Sequence, residues 1–163
     1  MTSPDERFRS QKDRIRKRLL KYTRKAFRML PQTQIDKPRI LDIGCGCGTP
    51  TLELAKLSHG EIVATDIDQP ALDRLNRRKE EAGLTERIQA VHYSVFDMDF
   101  PPRSFDVIWS EGSIYTVGFE KGIWEWKRFL KPAGFMVVHD EQGNVKDKLK
   151  EISSCGYELL GYF

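Results

Sequence analysis

Residues 40–50 read ILDIGCGCGTP: an apolar run, three glycines at alternate positions, then a Thr-Pro pair. The apolar run has the length of a buried strand, and alternate glycines let the backbone behind it turn sharply and approach a neighbour more closely than a Cβ permits. Thr49 and Pro50 suit an N-cap and a first helical residue. The stretch therefore predicts strand, bare loop and helix in that order, the opening of a βαβ unit.

The rest of the chain repeats the alternation. Arg39–Ile43, Ile62–Thr65, Ile88–Tyr93, Phe105–Trp109 and Phe135–His139 read as five strands, and Tyr157–Phe163 as a marginal sixth that pairs with strand five or lies frayed. Between them lie helices from Thr49 to Leu57, from an Asp68 cap to a stop at Gly83, from Glu120 to Leu130, and from Val145 to Ser154. Short strands alternating with helices predict an α/β fold, a doubly wound, mostly parallel Rossmann-like sheet with flanking helices. Ahead of them, Ile15, Leu19, Tyr22, Ala26, Met29 and Leu30 recur at three- and four-residue steps, an apolar stripe on one further helix. The polar run QTQIDKP links it to the first strand. A single domain over residues 1–163 is expected, with residues 1–31 forming a basic amphipathic helix region.

Composition narrows the setting. With 39% apolar and 31% charged residues, the chain has an ordinary globular mixture. No apolar run approaches the ~18 residues of a membrane span, so no membrane partner is expected. The opening MTSPDERFRS has no apolar segment behind its charges, and three cysteines make a poor disulfide framework. Both point to the cytoplasm. The net charge of +3 is unevenly placed: eleven Lys or Arg lie between Arg7 and Arg28 against one acid, Asp13. That is either an electrostatic footprint for nucleic acid or another anion, or the solvated face of a helix.

In a parallel α/β sheet ligands sit beyond the carboxyl ends of the strands, which is where Gly44–Gly48 must lie. The loop suits a nucleotide-like cofactor. Its spacing, G-x-G-x-G, differs from the G-x-G-x-x-G of dinucleotide sites. Asp66, eighteen residues past Gly48 at the end of the second strand, is placed to accept both hydroxyls of a ribose. Asp42 is placed either to accept from an ammonium group or to tie the loop amides together. Two cysteines one residue apart are too few for a structural zinc site, so no metal is expected.

These residues resemble the class I S-adenosylmethionine-dependent methyltransferases. ILDIGCGCG is similar to the family's first motif, ATDID to its second, SFDVIWSEG to its fourth strand and RFLKPAGFMVVHD to its fifth-strand turn. SEGSIYTVGFEKG resembles a small-molecule subgroup. The resemblance implies S-adenosylmethionine as cofactor, with Asp42, Gly44 and Gly46 on its methionine part, Asp66 on the ribose and Ile67 on the adenine. It also puts Cys45, Ser110, and Ser94 with Val95 (or Asp97 in a shifted loop) among the cofactor contacts. Glu111, Tyr115 and His139, in the loops after strands four and five, are the candidates on the acceptor side. Family members usually carry a further strand beside strand five, so the C-terminal end is shortened relative to them. The implied activity is methyl transfer to a small-molecule acceptor by a monomer or homodimer. The alternatives are an RNA methyltransferase using the basic helix, and a non-catalytic cofactor-binding module.

Overall fold

The computed structural model describes residues 3–31, 36–141 and 143–163, so part of the QTQIDKP linker lies outside the described residues. Helix α1 (Pro4–Met29) comes first, its N-cap Ser3 accepting from the Glu6 amide at 3.1 Å. Then follow β1 (Arg39–Ile43), α2 (Thr49–Leu57), β2 (Glu61–Asp66), α3 (Gln69–Glu81), β3 (Ile88–His92), β4 (Phe105–Glu111), α4 (Phe119–Trp126), β5 (Leu130–His139) and α5 (Val145–Ser154). All four strand pairings are parallel, in the order β3-β2-β1-β4-β5. The order reverses between β1 and β4, and the crevice that results opens above their carboxyl ends. Among the described residues, no helix is long and apolar enough to cross a membrane.

Strand side chains alternate between the two faces, and each face has its own core. Ile40, Ile62, Ile88, Val107 and Trp109 meet Phe27, Leu54, Leu72 and Leu75 from α1 to α3. Leu41, Ile43, Val63, Phe105 and Ile108 meet Ile114, Ile123 and Trp126 on the other side. Helices thus cover both faces, as parallel strands require.

Several boundaries differ from the sequence reading. Gly48, not Thr49, is the N-cap of α2, at φ +77°, and Thr49 is already helical. Asp68 is the N-cap of α3 by position, but its side chain makes no capping bond; it takes Arg9 Nε at 2.6 Å instead. The helix expected over Glu120–Leu130 stops at Trp126 and tightens into a 3₁₀ turn over Lys127–Phe129, and β5 starts at Leu130. β4 runs on through Ser110 and Glu111, two residues beyond its expected end at Trp109.

The expected sixth strand is absent. Residues 157–163 carry no strand pairing; Tyr157 donates its hydroxyl to the Ile123 carbonyl at 3.0 Å, and Phe163 stacks on Tyr22 of α1, ring centres 6.1 Å apart. Beyond the Tyr157 amide, which donates to the Ile152 carbonyl at 3.1 Å, the contacts are made by side chains, which apolar content alone does not distinguish from ladder pairing.

Candidate active site

The three loop glycines serve different neighbours. A side chain at Gly44 would run into Ser113, and one at Gly48 into Leu75 of α3, so both are bare because the protein itself comes close. Gly46 is at φ +54° with nothing within 4 Å of where its Cβ would stand. Its bareness faces open space, the arrangement a ligand lying against the backbone needs.

Asp66, at the end of β2, braces this loop. Its carboxylate accepts from the Gly46 amide at 2.7 Å and the Asp68 amide at 2.9 Å. Ile67 beside it is an apolar side chain left 66% exposed, while its carbonyl oxygen lies 2.9 Å from His92 Nε2. After β3, Ser94 Oγ accepts from the Phe96 amide at 3.3 Å and Val95 packs inward on the α4 side of the sheet. Phe96, which sequence reasoning did not single out, is 61% exposed in that loop. Asp97 donates its amide to the Ser94 carbonyl at 3.0 Å, closing the turn.

Asp42 lies buried beneath the loop and accepts from Thr51 Oγ1 at 2.6 Å. Burial pushes its carboxyl up to about 7, against the Thr51 bond and with the negative charges of Glu111 and Asp66 adding to the rise. Its bond ties β1 to the first turn of α2 rather than to the loop amides. Cys45 is buried, and burial with the nearby Asp42 carboxylate drives its thiol well above the ordinary range. It is a small inert side chain, not a thiolate.

At the end of β4, Ser110 is buried, its hydroxyl 2.7 Å from Ser113 Oγ. Ser113 in turn donates to the Ile43 carbonyl at 2.6 Å, clasping β4 to β1 across the crevice floor. Glu111, also buried, accepts from Thr23 Oγ1 of α1 at 2.7 Å and Trp109 Nε1 at 2.9 Å. Arg16 Nη1 and His139 Nδ1 each stand 3.9 Å from its other oxygen, too long for a hydrogen bond but close enough for the Arg16 charge to attract it. Burial alone would raise the Glu111 carboxyl; His139, Thr23, Trp109 and Arg16 outweigh it and hold the group below its usual value. His139 Nδ1 is buried without a hydrogen-bond partner.

The expected acceptor-side trio is therefore split. Glu111 and His139 stand side by side, whereas Tyr115 is 59% exposed on a 3₁₀ turn and is not among the residues that line the groove beside them. A groove of about 1460 Å³ runs along the free edge of β5, its walls including Tyr22, Ala26, Met29, Val137 and His139. Trp124 on α4, one of the residues lining the groove, is 64% exposed.

Helix α1 spans the mouth of the crevice. Arg9 holds Asp68 after β2, Asp13 takes Thr49 Oγ1 after β1 and pairs with Arg78 at 3.2 Å, and Arg16 reaches Glu111 at the end of β4. Of the expected apolar stripe, Ala26 and Leu30 pack on the core while Ile15, Tyr22 and Met29 stay exposed; sequence reasoning missed these polar residues, because each pairs with a partner far away in the chain.

A doubly wound sheet with a bare glycine loop at its switch point, and an acid closing the second strand, defines a domain built for a nucleotide-like cofactor. Residues 40–134 match the family model described as a methyltransferase domain, and the chain belongs to that family. It is 29% identical over 103 residues to a sterol 24-C-methyltransferase of Gibberella zeae, covering 63% of this chain and 27% of that protein. It is 29% identical over 113 residues to 27-O-demethylrifamycin SV methyltransferase of Amycolatopsis mediterranei, covering 69% and 41%. The chain thus spans less than half the length of these curated relatives. Among solved structures, a putative S-adenosyl-L-methionine-dependent methyltransferase of Methanococcus maripaludis superposes with a TM-score of 0.70 at 26% identity, covering 90% of this chain and 68% of that one.

Proposed function

We propose that this chain binds S-adenosylmethionine in the crevice between β1 and β4 and transfers its methyl group to a small-molecule acceptor held in the groove beside β5. The observation that carries the reading is the pairing of Asp66 with a positive-φ Gly46 that opens onto free space. A carboxylate and a bare backbone at that spacing suit a ribose and the chain attached to it.

In this reading Gly44, Cys45 and Gly46 line the methionine portion and Asp42 faces its ammonium group. Asp66 takes the ribose hydroxyls, Ile67 covers one face of the adenine, and Ser94 with Val95 borders its edge. Ser110 fixes the crevice floor through Ser113. The bound cofactor supplies a methyl group on a sulfonium, an electrophile with a good leaving group, so alignment does much of the work. Glu111 acts as a positioning residue: its charge, fixed by Thr23 and Trp109, attracts Nδ1 of His139 and leaves Nε2 to take a proton from an acceptor hydroxyl or amine.

Calorimetry with S-adenosylmethionine, followed by transfer of labelled methyl groups to a panel of small alcohols, phenols and amines, tests the reading. Saturable binding with transfer to at least one acceptor supports it. Absence of cofactor binding by folded protein sinks it, and binding without transfer to any acceptor favours a cofactor-binding module.

A further inference from the structure

Phe8, Ile15, Tyr22 and Met29 are spaced seven residues apart along the 26-residue helix α1. Seven residues are nearly two turns, so the four form one straight row. They are 59%, 50%, 39% and 38% exposed, an apolar row turned away from the core that Thr23 and Phe27 enter. Beside it stand the exposed cations Arg7, Arg14, Arg18, Lys21 and Lys25, none of them in an ion pair among the described residues. The acids of α1 offer no counterweight: Asp5 and Glu6 sit in its first turn, and Asp13 is engaged with Arg78, Lys17 and Thr49.

The row continues onto the end of the chain. Phe163 stacks on Tyr22, and Lys25 Nζ lies 4.0 Å from the centre of the Phe163 ring. Leu159, Leu160, Tyr162 and Phe163 are each between 44% and 69% exposed. Residues 157–163 carry one acid, Glu158. The result is a continuous face of aromatic and aliphatic side chains bordered by cations.

Three kinds of occupant differ in what they ask of such a face. A second copy of the chain would bring the row of cations against its own image. A nucleic acid would pair with the cations but has little use for Ile15, Met29, Leu159 and Leu160. An anionic lipid surface uses both: the cations meet headgroups while the apolar row enters the boundary beneath them, with Lys and Arg reaching outward along their stems. We propose that this face of α1, with Phe8, Ile15 and the cations beside them, docks the protein on an anionic membrane surface, while Tyr22, Met29 and residues 159–163, which also line the groove beside β5, border it. Lying on a bilayer makes different demands from crossing it, and the lack of a spanning helix does not bear on it.

Co-sedimentation of the full chain with phosphatidylcholine vesicles, with and without about one third phosphatidylserine, tests this. Binding should be confined largely to the anionic vesicles and weaken as salt rises. The double variants Phe8→Ser/Ile15→Ser and Arg14→Glu/Arg18→Glu should each lower the partition coefficient roughly tenfold or more, with thermal stability unchanged because all four side chains are exposed. No partition onto anionic vesicles at low salt overturns the proposal. So does loss in the charge variant alone with equally salt-sensitive RNA binding, which assigns the face to nucleic acid. A dimer dissolved by Phe8→Ser/Ile15→Ser in sedimentation velocity assigns it to a second copy. No turnover is needed, so failure here leaves the methyl-transfer reading untouched.

Discussion

Thr23 on α1 donates its hydroxyl to the buried carboxylate of Glu111 at the end of β4, 2.7 Å away and 88 residues distant in the chain. The bond joins the helix that spans the crevice to the strand that ends beside it. Thr23→Val keeps the shape and removes the donor, leaving a buried charge one hydrogen bond short. Stability should fall by about 1–3 kcal/mol, with Thr23→Ser close to the parent; urea unfolding of both variants checks this.

The neighbour of that bond gives a pH dependence. Glu111 has its carboxyl held below the usual range, so its ionised form stabilises the fold. That contribution is present above the unfolded-state value and is lost as pH falls through the lower folded one. Glu111→Gln should flatten the acid limb of stability against pH. It should also slow methyl transfer by about 10- to 1000-fold at unchanged cofactor affinity, since His139 loses the charge that orients it. Intact turnover per folded molecule would leave Glu111 with a structural role alone.

Asp42 titrates the other way. Its carboxyl is raised to about 7, so the folded state holds this proton where the unfolded chain has released it, and stability from this group falls as pH rises from the ordinary carboxyl range toward 7. An ammonium group brought beside it favours the carboxylate. Cofactor binding near neutrality should therefore release a fraction of a proton and tighten as pH rises from 5 to 7. Calorimetry in buffers of different ionisation enthalpy reads this directly, and a buffer-independent heat would remove Asp42 from the ammonium's surroundings.

In the proposed site Asp66 accepts both ribose hydroxyls, so Asp66→Ala should weaken S-adenosylmethionine binding by about 2–3 kcal/mol. The structure adds a second consequence. The same carboxylate holds the Gly46 and Asp68 amides, so thermal stability should drop as well. Unchanged affinity in folded protein would take Asp66 out of the site.

Gly46→Val separates binding from folding. The new Cβ meets no atom within 4 Å beyond its chain neighbours, so the main cost to the fold is the strain of a left-handed backbone, roughly 1–2 kcal/mol. Cofactor binding should be abolished while the circular dichroism spectrum stays native. Normal binding would mean that the loop faces another way.

The alternation of strand and helix, the glycine loop and the placement of Asp66 were legible in the sequence because they are local: a repeat of apolar positions and a few turn residues specify them within ten or twenty positions. The loop also shows where that reading stops. Three glycines look alike as letters, but two are bare to admit Ser113 and Leu75 and one to face open space, a distinction that exists only once distant segments are packed together. The same holds for Glu111, read as a loop carboxylate facing an acceptor and found as a buried strand residue held by Thr23 and Trp109. Residues 157–163 have the composition of a strand, but strand pairing depends on partner, register and competing side-chain contacts, and Phe163 on Tyr22 settled it otherwise. Local periodicity thus determined which elements form and in what order. Tertiary contacts decided which charges are buried, which helix spans the crevice and which apolar face remains outside, because those outcomes depend on energies between residues that the sequence keeps far apart.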